Sequence, residues 1–319
     1  MAQQKSAKDK QASKNQSRTV TGPKRTAPTK AGGRSTSTML TWGAIGLVVV
    51  IVAVLIIVKI TGNGTSSKSG QGAQPAPASI VQAVTHIPQS VYDTVGVNSS
   101  ATPVTPPTKL SGQPQLVLTS SNGSKLPGVF YFGAEYCPYC AAERWPMTAA
   151  LSRFGSFSGL EITTSSATDV YPNTPTFSFA KASLSNPLFI FKAVERYSNI
   201  PDGSGSYTIL QTPTQAEAAL VNKYDSPTYI PGGSSGSIPF IDVANQFVGQ
   251  GASYSPAILS GLTRAQIASG LSDATNPATQ AIVATANYWT AAICNVTGGK
   301  PGNVCSSKGV MAAAKALKI

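Results

Sequence analysis

Cys137 and Cys140 stand three apart, with Pro138 and Tyr139 between them. That spacing carries chemistry where it opens a helix. A thiol over the first turn faces unsatisfied backbone N–H groups and the positive end of the helix dipole. Both favour thiolate, and can bring a thiol from about 8.5 down to about 3.5–7.5. The second thiol then lies within reach to resolve a mixed disulfide. Pro138 cannot donate a backbone hydrogen bond but suits a helix start, so it stiffens the turn. The same spacing is also half of a zinc site, which leaves two chemistries open at this point. His86, the chain's one histidine, reads as a partly exposed polar residue beside a packing helix. A single histidine removes most zinc and Cys–His protease readings. Glu135 reads as a solvated loop charge.

The neighbouring residues predict how the pair is positioned. Residues 129–132 are a β-branched and aromatic run between Pro127-Gly128 and Gly133, the mark of an interior strand. After Cys140 the chain turns to helix formers, and the helix is expected to reach about Phe154 with a kink at Pro146. Far downstream, residues 236–249 read as a proline-headed strand, a turn and a second strand.

The stretch 132–140 resembles the active-site strand and turn of the thioredoxin superfamily, and Cys-Pro-Tyr-Cys is the glutaredoxin form of that motif. The segment 236–249 is similar to the family's cis-proline strand and hairpin. The resemblance implies an α/β thioredoxin-like fold, a central mixed sheet flanked by helices. It also implies that Cys137 attacks or leaves, that Cys140 resolves and that Tyr139 tunes the couple. By the same resemblance Pro239 would be the cis-proline facing the dithiol, with Ile238 supplying a backbone contact. Pro138, Tyr139, Ile238 and Pro239 would thus meet substrate. One departure matters. Where thioredoxins keep a buried aspartate, this chain has Tyr131, a poor base at neutral pH. That favours a disulfide donor or isomerase over a fast reductase. The whole chain also resembles an uncharacterised family of membrane-anchored thioredoxin-like proteins, the domain of unknown function 929, which implies a fold and no activity.

Charge and hydropathy place the rest. The net charge is +12, but residues 1–38 hold nine Lys/Arg and one Asp, or +8. The basicity belongs to a tail expected to be disordered. That tail lacks interleaved aromatics, so no nucleic-acid partner is expected. Residues 39–60 are expected to form a single transmembrane helix: twenty residues rise about 30 Å, the thickness of a bilayer core. The basic tail places the N-terminus in the cytoplasm and the C-terminal domain outside the cell membrane. Residues 61–77 read as a flexible stalk. Residues 78–114 read as accessory helices and a loop, and 115–319 as the thioredoxin-like domain. Within it, 115–119, 160–165, 176–181 and 188–194 are predicted strands. Residues 198–236 form an insertion before the cis-proline strand, expected to lie over the dithiol side of the sheet. The stretches 254–262 and 263–271 give helical signals, and helices are expected over 277–319.

Outside a membrane, four cysteines suggest disulfides. Three pairings are possible; the thioredoxin resemblance implies that the motif pair bonds to itself when oxidised, which leaves Cys294 and Cys305 to each other. That pair reads as a structural bond, with a redox relay to Cys137 and Cys140 or a zinc site as alternatives. The expected function is a membrane-anchored extracytoplasmic thiol–disulfide oxidoreductase needing no cofactor and no metal. Its partners would be client proteins with thiols or disulfides, a membrane redox partner and the lipid bilayer. The alternative is a cell-envelope binding or scaffold protein in which Cys137–Cys140 is a structural bond.

Overall fold

The computed structural model describes residues 71–101 and 103–319. The expected basic tail, membrane span and most of the stalk lie outside the described residues. Among those described, no helix is long and apolar enough to cross a membrane. The described residues begin with β1 (Gln74–Pro75), α1 (Ala78–Thr85), α2 (Gln89–Val95), β2 (Thr108–Lys109), β3 (Val117–Thr119) and β4 (Lys125–Gly133). Next come α3 (Pro138–Leu151), β5 (Ser156–Ser158), β6 (Glu161–Thr164), β7 (Pro175–Ser178), β8 (Ser183–Ser185) and β9 (Ile190–Glu195). A hairpin of β10 (Tyr197–Pro201) and β11 (Tyr207–Ile209) precedes α4 (Gln215–Tyr224), β12 (Phe240–Val243) and β13 (Phe247–Gln250). A 3-10 turn (Pro256–Leu259), α5 (Arg264–Gly270), α6 (Pro277–Val296), α7 (Gly302–Cys305) and α8 (Lys308–Leu317) complete the chain.

The fold is mixed α/β, with a mixed central sheet flanked by helices. β4 is its axis: β9 runs parallel to it, β12 antiparallel, and β13 and β2 follow outward from β12. β3 pairs with the start of β4. Alternation along the strands sorts side chains to two faces. Val129, Tyr131, Ile241, Val243 and Phe247 join the larger core with α3 and α6. Phe130, Phe240 and Val248 face the other way and pack on Val221 and Tyr224 of α4. Phe132 packs beside them.

Several expectations change. The segment 78–114 is no accessory: Val84, Val91, Tyr92 and Val95 belong to the main core, and β2 closes a sheet edge. The stalk's last residues are already structured, since Gln74 and Pro75 pair with Ile162 and Glu161. β6 and β7, read as further strands of the domain, form a separate three-stranded sheet with β1. The residues set apart as an insertion also divide. Tyr207 of the hairpin stacks on Tyr136 at 4.4 Å between ring centroids. α4, begun by a capping box between Thr214 and Glu217, instead covers the sheet face opposite α3. It carries the chain from β9 past β4 to β12. The expected helix at 254–262 is only the 3-10 turn, and α3 continues through Pro146 to Leu151.

Cys294 and Cys305 form a disulfide across a sequence separation of 11. Closing so small a loop removes unfolded-state entropy worth about 3 kcal/mol. Replacing both with alanine is expected to lower stability by about that amount, read from the urea midpoint. An unchanged midpoint would exclude a stabilising role for the bond.

Candidate active site

The C-terminal end of β4 delivers the chain into a short loop before α3. Backbone hydrogen bonds from both sides hold that loop. Glu135 N–H donates to Tyr197 O at 2.9 Å, and Ser166 N–H to Tyr136 O at 2.8 Å. Arg196 N–H donates to Gly133 O at 2.7 Å, and Cys137 N–H to Ala134 O at 3.3 Å. Cys137 is the N-cap of α3, and its Sγ accepts the Cys140 N–H at 3.3 Å. A helix start thus presents one of its unsatisfied donors to the first thiol.

The two thiols have opposite electrostatics. Hydrogen bonding from the Cys140 thiol and N–H, with the nearby Arg144 guanidinium, pulls Cys137 below the ordinary thiol value. Full burial, followed by the hydrogen bond to and the charge on Cys137, pushes Cys140 well above it. Both cysteines are unbonded; Cys137 retains 5% of its exposure and Cys140 none. Cys137 Sγ lies 3.8 Å from the carbonyl oxygen of Ile238, and the Ile238–Pro239 peptide is cis. Tyr139 is 41% exposed and meets Tyr171 edge-on at 6.0 Å. The structure therefore brings Cys137, Cys140 and Ile238 together at one end of the sheet, with Pro138 buried in the first turn of α3. The disulfide of Cys294 and Cys305 stands apart in sequence, on the last turn of α6 and on α7.

Residues not singled out in the sequence lie beneath the dithiol. Arg144, on the turn of α3 after Cys140, is fully buried with Glu195, the residue beside Gly133 on β9. Its Nε and Nη2 donate to the two carboxylate oxygens at 2.7 and 2.6 Å, and Nη2 also reaches Ala134 O at 2.7 Å. The Phe179 N–H adds a third donor to Glu195. Glu143 is buried next to Arg144 in sequence, but its hydrogen bonds come from neutral donors alone. It accepts from Ser253 N–H at 2.8 Å, the Ser253 hydroxyl at 3.1 Å and Trp289 Nε1 at 2.6 Å. Burial still lifts it to about 7. Glu135 overturns its reading as a solvated charge: it is 1% exposed, and burial raises its carboxyl. A signal for this burial is present in the sequence. Residues 141–151 carry Ala, Trp, Met and Leu all round the helix, so no face of α3 is left for solvent.

The model of one protein family, described as Domain of unknown function (DUF929), matches residues 117–295. That span runs from β3 to the last turn of α6 and contains the whole site. No curated protein and no solved structure matches the chain. With more than half of its 319 residues covered by that match, the chain belongs to the DUF929 family.

Proposed function

We propose that this chain is a membrane-anchored thiol–disulfide oxidoreductase working outside the cell membrane on a thioredoxin-like fold. The observation that carries the reading is the split between Cys137, held toward thiolate at a helix start, and Cys140, buried behind it. A stabilised thiolate leaves a mixed disulfide readily, which suits donation or isomerisation of disulfides. The fold reading draws support from the order β9, β4, β12, β13, with α3 and α6 on one face and α4 on the other. Ile238 opposite Cys137 supports a place for client backbone, and the exposed Tyr139 ring offers a contact beside it. Clients would be extracytoplasmic proteins with thiols or disulfides, and a membrane redox partner would restore the dithiol. The apolar segment 39–60 is what motivates the anchor.

The low exposure of Cys137 favours a second reading, a binding or scaffold protein whose dithiol is closed to exchange. Cysteine trapping separates the two. In Cys140→Ala cells, adducts sensitive to reductant are expected on non-reducing gels, because a client bound to Cys137 can no longer be released from within. Their absence in an oxidising envelope would leave the scaffold reading in place.

A further inference from the structure

Tyr131 and Gly133 share the face of β4 that looks toward α3. The Tyr131 ring lies along the strand toward the dithiol, and its hydroxyl occupies the space that a side chain at 133 would need. A Cβ on Gly133 would collide with that hydroxyl. The phenol is fully buried, yet its oxygen has no hydrogen-bond partner among the described residues. Nη1 of Arg144 is in the same condition, although the other guanidinium nitrogens are engaged by Glu195 and Ala134. The guanidinium carbon stands 5.7 Å from the centre of the Tyr131 ring. Buried donors left unfilled are costly, so two of them on neighbouring side chains call for an acceptor.

Cys140 is the group beside them that can become an anion. It lies one helical turn before Arg144 on the same face of α3. Its charge, when present, acts on both groups: it strengthens the hold of Tyr131 and Arg144 on their protons. Arg144 in return favours the Cys140 thiolate. Burial keeps Tyr131 protonated far above its ordinary range, so it serves as a donor and never as a base.

We propose that the Tyr131 hydroxyl and the free Nη1 of Arg144 form a buried anion site for the Cys140 thiolate. This rests on the dithiol reading above. In disulfide donation, a client thiolate attacks Cys137 Sγ and the Cys137–Cys140 bond breaks. Cys140 leaves with the electron pair, is held by the two donors, and then takes a proton from water. A second client thiolate attacks the client sulfur of the mixed disulfide, and Cys137 leaves as thiolate. The client pair is oxidised by two electrons and the dithiol is reduced by two. The titratable and charged groups around Cys140 and its two donors are Cys137 and Arg144 of its own helix, Tyr136 of the loop, Tyr131 of β4 and Glu195 of β9, which pairs with Arg144.

The reverse step is the measurable one. The reduced full chain is mixed with an aryl disulfide, dithionitrobenzoate. The first nitrothiophenolate released reports attack by Cys137; the second reports attack by Cys140 on the mixed disulfide. In Tyr131→Phe the first release is expected to stay within about twofold of the unsubstituted chain. The second is expected to slow about tenfold at neutral pH, with its pH midpoint raised by about one unit, the equivalent change in thiolate fraction. An unchanged second phase and midpoint overturn the anion site and leave the dithiol reading standing. No release from the folded, unsubstituted chain overturns both. Fluorotyrosine placed at position 131 alone provides a probe that keeps the hydroxyl. Its resonance is expected to move as Cys140 titrates, and a fixed resonance overturns the proposal.

Discussion

Arg144→Met is expected to cost about 3–5 kcal/mol of stability, the penalty for stranding one member of a buried ion pair. Both partners are fully buried, and their geometry is bidentate. Without the guanidinium, Glu195 keeps only the Phe179 N–H as a donor to its side chain among the bonds described. The Ala134 carbonyl loses its side-chain donor as well. A domain of this size moves by about 2–4 °C per kcal/mol, so a fall of roughly 6–20 °C in Tm is expected. The double variant Arg144→Met/Glu195→Leu tests the cause. Removing both charges leaves no uncompensated ion, and most of the lost stability is expected to return. If the double variant is no more stable than Arg144→Met, the loss comes from packing rather than from a stranded charge.

Stability is also expected to fall as pH rises from about 5 to about 8, by a few kcal/mol in all. Asp242 is fully buried on β12, and burial lifts it to about 7. One of its oxygens accepts the Asn245 N–H at 2.6 Å, while Oδ2 has no partner among the described residues. Glu143 is lifted to about 7 as well. Asp225, lifted to about 6 by burial, acts in the same direction. The sign follows from proton counting. Between the unfolded value of about 4 and the folded value, the native state binds the proton and the unfolded chain does not. The stabilisation is therefore complete below the unfolded value and is lost as pH rises through the folded one. Asp242→Asn keeps an acceptor for Asn245 and removes the charge. It is expected to raise the urea midpoint at about pH 8, change it little at about pH 5, and flatten the profile between. A wild-type midpoint equal at both pH values would refute the assignment.

Local chemistry makes part of this molecule legible in its sequence. The strand at 129–132, the helix starting at Cys137, the hairpin after Pro239 and the long helix begun by Asn276 each carry a pattern within a few residues. What the sequence hides depends on distance along the chain. Glu195 is 51 residues from Arg144, and nothing near either residue announces a pair. Glu135 reads as a surface charge because pattern arguments assign ionised side chains to solvent, and nothing in the sequence beside Asp242 marks it as buried. The helix at 215–224 starts on a local signal, the capping box of Thr214 and Glu217, but its place on the sheet has no such signal. Val221 and Tyr224 are its buried side chains, too few to mark it as cover for a sheet face. The same region's glycines and prolines pull the reading toward an inserted loop.

One modest element limits how this protein meets other chains. β2 offers only Thr108 and Lys109, yet these pair with Val248 and Phe247 and occupy the first half of the outer edge of β13. Lys109 then turns its ammonium to the carbonyl of Lys318 at 3.1 Å. A longer, apolar strand in that place would be a template for another chain to extend the sheet, the first step of edge-to-edge aggregation. A two-residue strand ending in a lysine gives such a neighbour almost no ladder to join. Crowded at high local concentration, copies of this domain meet a β13 rim whose first two residues are already paired and whose ladder is only four residues long.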